Sequence, residues 1–447
     1  MASLSAQSLR VTVVGAGPAG LCAAAALRQD GHAVTVLERQ RGLQSRGNAL
    51  VIQPAAVKAL AHLRGAHEAL AKVSVRSDRL CYWSYKGDEP FAVTQLLDQR
   101  FETDRPSVQR VMYELATQNG VDVSFGRNID RVEDSGDKAT VWTSDGQKFE
   151  SDLVVAADGI KSRIRQCLFP NLNTDPIPTR ESIFLATLPL ADVRDDPALA
   201  GWLAPGTTHG TLGPGRFVLS RRLPGEQLGV QFIDVDHDEP GPVDGAWNTP
   251  ADVAALRALF ADFNAVTRAS LRRAARAERW QIAVGPALES WRSARGGRVV
   301  LLGDAAHAMV PHAAQGLSQG IEDGVGLARA LRGASASASA SASASASEGR
   351  AAHVVGPATR AWEAVRKPRA ELFMQRSLNN ARLRSLPDGP AQEARDAHLV
   401  RGAATRPQEV AGVKMDMMAD QNSPEFMKWV REYDVVAEIE RIIKDGI

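Results

Sequence analysis

Cysteine is scarce: three in 447 residues, Cys22, Cys81 and Cys167, are odd in number, far apart and without metal-ligand spacing. That argues against a disulfide framework or a zinc site, and a reducing compartment, the cytoplasm, is expected. Net charge is scarce too, since 53 Lys plus Arg against 52 Asp plus Glu leave +1. Such a balance offers no electrostatic case for a nucleic acid or a membrane surface as partner. Long apolar runs are missing as well. The stretch from Leu21 to Leu27 falls far short of the ~20 residues a membrane span needs. The residues from Met1 to Arg10 lack both a basic start and an apolar core, so no signal peptide is expected ahead of the first strand. What is present, 44% hydrophobic and 23% charged, is the makeup of an ordinary folded chain, long enough for two or three packed units.

Near the N-terminus, Val11 to Val14 and Ala33 to Leu37 are short apolar runs on either side of the helix-forming stretch Leu21 to Arg28. Strand, helix, strand over about thirty residues is a βαβ unit, whose strands are parallel with a right-handed crossover. Farther on, Gly210 to Val235 alternates in polarity and is broken by Gly-Pro-Gly and Pro-Gly, the pattern of antiparallel strands with turns. From Ala334 to Ser347 alanine and serine alternate without a break. These side chains are too small to anchor a strand, and the tract reads as a mobile or loosely helical surface linker. Beyond it, Phe426, Trp429, Tyr433, Val436, Ile439 and Ile443 recur at steps of three and four, one face of a helix that packs onto the body.

Between the first two strands lies Gly15-Ala16-Gly17-Pro18-Ala19-Gly20. Gly15 permits a tight turn, Gly17 lets a pyrophosphate approach the backbone, and Gly20 lets the helix lie close to the strand. The free N–H groups and the dipole of the helix start then hold the phosphates. Glu38 ends the second strand eighteen residues after Gly20, where an acid binds a ribose diol. An acid there disfavours a 2′-phosphate, so the loop is expected to hold FAD or NAD. Two further motifs follow. Leu153 to Ala157 is a buried strand ending in Asp158-Gly159. Arg298 to Leu302 is another, ending in Gly303-Asp304, and Pro311 to Asp323 after it is a glycine-bearing loop running into a helix.

Together these three motifs resemble the class A flavoprotein monooxygenases, the group of salicylate hydroxylase and para-hydroxybenzoate hydroxylase, and above all the salicylate-hydroxylase-like members of fungal secondary metabolism. The resemblance covers residues 8–331 and resumes at Ala361 to Ala370. It implies an α/β fold: a Rossmann-like FAD-binding domain of discontinuous segments (8–75, 104–180 and 280–333), an antiparallel β-sheet substrate domain (76–103 and 181–279), the Ala/Ser linker (334–350) and a C-terminal helical region (351–447). By the same resemblance Gly15, Ala16, Gly17, Pro18 and Gly20 hold the FAD pyrophosphate, and Glu38, with Arg39 beside it, the adenosine ribose. Ala49 contacts the flavin through its backbone, Arg110 reaches the flavin side, and Asp304 meets the ribityl chain. Asp158 and Gly159 support FAD and a transiently docked NADPH or NADH. Pro311 walls the ring, while Gly316 and Leu317 aim helix-start N–H groups at the flavin carbonyl, where charge accumulates on reduction.

The implied reaction transfers one atom of dioxygen through a flavin hydroperoxide, hydroxylating or epoxidising an aromatic or polycyclic substrate. No second glycine fingerprint exists for the nicotinamide cofactor. Arg222 and His312 are the candidate catalytic residues, and no metal is called for. His307, His209, Arg221, Trp83 and Tyr85 read better as packing or hydrogen-bonding residues than as ligands. Asp196-Pro197 and His237 to Glu239 read as loop chemistry without metal-ligand geometry. Where many relatives carry a substrate-binding arginine and tyrosine, this chain aligns Leu185 and Ser220, which favours a larger, less charged substrate. Two rivals share the glycine loop: a flavin reductase or desaturase of the geranylgeranyl-reductase type, and a non-catalytic flavin- or lipid-binding scaffold. Oligomeric state is left open.

Overall fold

A computed structural model describes residues 8–43, 47, 49–96, 98–237, 248–341, 350–404 and 424–446. Strands are numbered in chain order. The apolar runs that read as strands form a five-stranded sheet: β1 (Arg10–Val14), β2 (Ala33–Glu38), β7 (Asp122–Phe125), β11 (Leu153–Ala156) and β18 (Val299–Leu301). Their order is β18-β11-β1-β2-β7, every neighbouring pair parallel. Every residue of β11 and β18 is buried, as in a sheet covered on both faces. A three-stranded antiparallel sheet of β8 (Ile129–Asp134), β9 (Ala139–Thr143) and β10 (Lys148–Ser151) lies between β7 and β11 in sequence.

The second large sheet has eight strands in the order β16-β17-β12-β15-β14-β13-β4-β5. They are β4 (Arg79–Ser84), β5 (Pro90–Gln95), β12 (Ile177–Pro189), β13 (Thr207–Gly213), β14 (Arg216–Leu223), β15 (Gln227–Asp234), β16 (Asn248–Pro250) and β17 (Glu278–Val284). The expected hairpins are β13, β14 and β15, turning at Gly215 (φ +66°) and at Gly225-Glu226, both with positive φ. One pair departs from the antiparallel expectation: β4 and β13 run parallel, because the chain enters this sheet in two separate passages. A two-stranded ribbon, β3 (Ala49–Ile52) with β6 (Phe101–Asp104), joins the two large sheets.

The pleat sorts the eight-stranded sheet into two faces. One carries Cys81, Trp83, Tyr85, Phe184, Val218, Val230 and Phe232 against helices Val253–Leu259 and Ala265–Arg273. The other carries Tyr82, Leu185, Leu212, Phe217, Leu219 and Ile233. Trp83 and Tyr85 are therefore core. His209 lies with them, its Nδ1 accepting from the Trp83 indole at 3.1 Å.

Helix Gly316–Ser341 runs into the Ala/Ser tract, so the expected linker begins as helix, small side chains posing no obstacle to one. Residues 342–349 lie outside the described residues. The C-terminal pattern splits into two helices, Pro424–Glu432 and Val435–Lys444, because Asp434 caps the second by accepting from the Val436 and Ala437 N–H groups. Both pack on the body through Phe426, Tyr433, Val436 and Ile439.

Candidate active site

The glycine loop is built by close contacts. Gly15 has φ +105°, and a Cβ there would fall 2.3 Å from the Ala157 carbonyl oxygen at the end of β11. A Cβ on Gly20 would fall 2.2 Å from the Gly15 carbonyl. At Gly17 a Cβ meets nothing within 4 Å, so the start of helix Pro18–Gln29 opens onto free space with no side chain capping it. Two side chains clamp Ala16 between these glycines. Glu38 accepts from the Ala16 N–H through Oε2 (2.7 Å) and from the Gln40 N–H through Oε1 (2.8 Å), and Gln109 donates to the Ala16 carbonyl at 2.7 Å. Each carboxylate oxygen keeps a lone pair for a ribose hydroxyl. Arg39 is exposed beside it.

On helix Arg105–Gln118, Arg105 and Gln109 are one turn apart and share the face toward this loop. Arg105 also stands under Gly47, whose added Cβ would meet the Arg105 Cβ at 2.8 Å. Arg110, the sequence candidate, is exposed and a third of a turn away. The geometry thus points to Arg105 in its place.

Asp158 works as a staple: the Ser162 hydroxyl donates to it at 2.6 Å and the Ile164 N–H at 3.2 Å. Burial pushes its carboxyl up, against these bonds. Gly159 beside it has φ +81°. Buried Arg165 ties the second motif to the third. Its guanidinium donates to the carbonyls of Ile160, Thr174 (2.8 Å) and Ala305 (2.9 Å). Asp304 is exposed at the head of the short helix Asp304–His307, without a hydrogen bond from any described residue.

Below this turn lies a buried ionic network. Asp323 accepts from the Gly303 N–H (3.1 Å), His307 Nε2 (2.6 Å) and Arg366 Nε (2.9 Å), while Glu322 accepts from Arg366 (2.8 Å) and Arg369 (2.8 Å). Burial raises Asp323, but His307 and Arg366 outweigh it and hold the carboxyl below its ordinary value. His307 is fully buried here and serves as a hydrogen-bonding residue. Gly320 and Gly324 let helix Gly316–Ser341 press on Ala19 and Ala23 of the glycine-loop helix, an added Cβ meeting them at 2.7 and 2.8 Å. The helix start is thereby fixed, with Gly316 and Leu317 only partly buried.

The turn Pro311–Ala313 leads from the Asp304 segment to that helix and ends at Ala314, whose φ of +50° costs an L residue roughly 1 kcal/mol. Pro311 is exposed, whereas His312 is buried, its Nε2 bonded to Glu181 of β12 at 2.6 Å and its ring edge-on to Phe217 at 5.2 Å. Burial pushes His312 down against the pull of Glu181. It locks the turn onto the eight-stranded sheet.

That contact and the β3–β6 ribbon border the second face of the eight-stranded sheet, the candidate cleft. Across this face one row of paired positions reads Leu185, Gln231, Leu219, Gly210, Tyr82. Gln231 donates to the Ala49 carbonyl at 3.4 Å, joining sheet and ribbon. A second tie is buried Glu102 of β6, which accepts from Ser77 at 2.6 Å and lies 3.8 Å from Arg221. Arg222 is one residue along and so points to the opposite face, where Nε and Nη2 hold the Leu203 carbonyl at 3.0 and 2.6 Å. The pleat removes it from the catalytic candidates. Ser220 likewise faces away, and Leu219 takes its place in the cleft.

Sequence reading missed Gln109, Arg165, Gln231 and the partners of Asp323. Gln109 and Arg165 lie on helices, and nothing in a residue's letter says which helix face is buried. Gln231 shows itself only as a polar residue on a buried strand.

Comparison with known proteins places this geometry in a family. Residues 8–361 match the FAD binding domain family. The FAD-dependent monooxygenase OpS4 of Beauveria bassiana is 27% identical over 441 residues, 96% of each chain. The 3-amino-4-hydroxybenzoate 2-monooxygenase of Streptomyces cremeus is 30% identical over 407 residues, covering 88% of this chain and 92% of the relative. A solved salicylate hydroxylase–substrate complex superposes with a TM-score of 0.77 at 21% identity over 98% of both chains. The chain belongs to the FAD binding domain family, and within it to the class A FAD-dependent monooxygenases. Among the described residues no helix is long and apolar enough to cross a membrane.

Proposed function

We propose that this enzyme hydroxylates, or epoxidises, an aromatic or polycyclic organic compound with dioxygen and NADPH or NADH, and that it works in the cytoplasm. The observation that supports this reading is a row of half-buried, mostly apolar positions across the second face of the eight-stranded sheet, Leu185, Leu219 and Tyr82 with Gln231 their polar member, which would wall the substrate cleft. The relatives also include a hispidin-3-hydroxylase and a 6-hydroxynicotinate 3-monooxygenase, 29% and 28% identical over 83% and 73% of this chain.

The residues present fit FAD. The cradle at Gly17 is open where a pyrophosphate passes, and the first-turn N–H groups of helix Pro18–Gln29 face it. Gly15, Ala16, Gly17, Pro18 and Gly20 would hold the pyrophosphate, Glu38 and Arg39 the adenosine end, and Arg105, Ala49 and Asp304 the ribityl and flavin end. Pro311, Gly316 and Leu317 would border the ring. Asp158 and Gly159 keep the second motif in place beside it. When bound, FAD supplies the acceptance of hydride and the activation of dioxygen. The chain orients the substrate along the sheet row and closes the cleft from water with the ribbon and the Pro311–Ala313 turn. Donors at the start of helix Gly316–Ser341 favour negative charge on the group they face. The parallel sheet with its glycine loop forms the FAD domain (8–75, 104–180, 280–333), and the eight-stranded sheet the substrate domain (76–103, 181–279).

The test is a product screen by mass spectrometry with phenols, indoles and polycyclic natural products. The expected outcome is a product one oxygen atom heavier that requires both NADPH and dioxygen. NADPH left unoxidised with every compound, despite bound FAD, would sink the reading in favour of a reductase or a binding scaffold. Asp304→Ala serves as the cofactor arm: flavin should be lost on gel filtration, and full retention would show that Asp304 does not hold it.

A further inference from the structure

Arg384 ends the long helix Arg350–Arg384 and reaches the cleft from the C-terminal region. Its Nη1 donates to the His312 carbonyl at 2.7 Å, so it is anchored to the turn that borders the cofactor side. Its guanidinium stands 5.7 Å from the centre of the Phe217 ring, on the cleft face of the sheet. Among the described residues no carboxylate pairs with it; the titratable neighbours that share its field are Tyr82, Arg376 and His312. Tyr82 is itself half-buried on the same face, and its hydroxyl makes no hydrogen bond with a described residue. Burial pushes Tyr82 up and Arg384 opposes that, so the two groups feel each other.

A half-buried guanidinium without an acid is costly unless something pairs with it. The other arginines of the interior illustrate the contrast. Arg366 and Arg369 share Glu322 and Asp323, and Arg165 is surrounded by carbonyls. Among the described residues, nothing accepts from the Nε or Nη2 of Arg384 beyond its one carbonyl at Nη1. The geometry supplies a planar fork of donors at Phe217, on the sheet face that also carries Tyr82, at the edge of a mostly apolar row. That is a receptor for one anionic oxygen group on a flat hydrophobic body.

Resting on the monooxygenase reading above, we propose that Arg384, with Tyr82 beside it, recognises an ionised oxygen substituent, carboxylate or phenolate, on the aromatic substrate. The charge that Leu185 does not supply from the sheet comes here from the C-terminal helix. The substrate is then a large aromatic compound that is acidic, rather than the less charged one the sequence favours.

The test uses the FAD-loaded enzyme and the fluorescence of naphthyl probes, which reads binding whether or not the flavin reacts. Two pairs are titrated: 2-naphthoate against 2-naphthamide, and 2-naphthol at rising pH against 2-methoxynaphthalene. The anion of at least one pair should bind about tenfold or more tightly than its neutral partner. Arg384→Gln, which keeps a polar side chain without the guanidinium, should remove that preference; Arg384→Lys should keep part of it, and Tyr82→Phe should lower it about threefold. The pair that shows the preference identifies the group as carboxylate or phenolate. Equal binding within both pairs, no binding of either anion, or an undiminished preference in Arg384→Gln overturns the proposal and leaves the monooxygenase reading standing. A purified protein that takes up no FAD counts against that reading instead.

Discussion

The glycine loop and the second face of the eight-stranded sheet obey different constraints. In the loop the backbone itself is crowded: Gly15 and Gly20 have carbonyl oxygens 2.3 and 2.2 Å from where a Cβ would be. No other residue type fits, so the letters of the sequence state the geometry. On the sheet, any side chain of suitable size satisfies the strand, and function depends on which face it lands on. Leu219 and Ser220 are neighbours in sequence and belong to opposite sides of a sheet. Rigid chemistry that reads a backbone is legible one residue at a time; specificity written in side chains depends on register.

The sharpest way to break this comparison is within the loop. Gly15→Ala and Gly20→Ala should destabilise the protein even without cofactor, since overpacking costs about 1–3 kcal/mol where side chains can give and more where the obstacle is backbone. Positive φ at Gly15 adds to it. Gly17→Ala, with φ −70° and open space ahead, should leave the apo-protein's Tm unchanged and lower FAD affinity about tenfold or more. Thermal melts of the three apo-variants, with flavin titrations, decide it. If Gly17→Ala melts early or binds FAD normally, the division between structural and cofactor glycines is wrong.

This division explains what was legible and what was not. The βαβ unit, the three strand-ending motifs and the hairpins of β13 to β15 all rest on glycine, proline and buried apolar runs. Arg105 and Arg110 lie five positions apart on one helix, and only the bond of Gln109 shows which face meets the loop. The error at Arg222 was one step of the pleat. His312, a catalytic candidate by sequence, has its partner Glu181 131 residues away, and no local pattern announces that pair. The Arg366 and Asp323 pairing is of the same kind, formed across 43 residues. Long-range polar pairs need the fold before they can be read.

A second prediction sets the core face of the sheet apart from the cleft face through pH. Burial, with Arg79 adding to it, pushes His209 down to about 4. Its Nδ1 accepts from Trp83, and its Nε2 is buried without a partner, so a second proton is unwelcome. Between pH 4 and 6.5 the unfolded chain binds this proton and the folded one does not. Stability from this site is therefore complete above about pH 6.5 and falls as pH drops to about 4, by on the order of 3 kcal/mol. Urea unfolding across that range should show the slope, and His209→Asn should flatten it at the cost of lower stability near neutrality. An equal slope in the variant would place the titration elsewhere.

The smallest expected effects test the register of β14 directly. Ser220 is buried on the core face with an unpartnered hydroxyl, so Ser220→Ala should leave KM unchanged and stability level or up to about 1 kcal/mol higher. Leu219 stands in the cleft row between Gln231 and Gly210. Leu219→Ser should raise KM for the substrate about fivefold, since losing apolar contact in a pocket is worth 1–3 kcal/mol at most. Steady-state kinetics and urea melts on both variants separate the two sides. Were Ser220→Ala to change KM while Leu219→Ser did not, β14 would be one residue out of register, Arg222 would return to the cleft, and the apolar row opposite the cofactor would have to be drawn again.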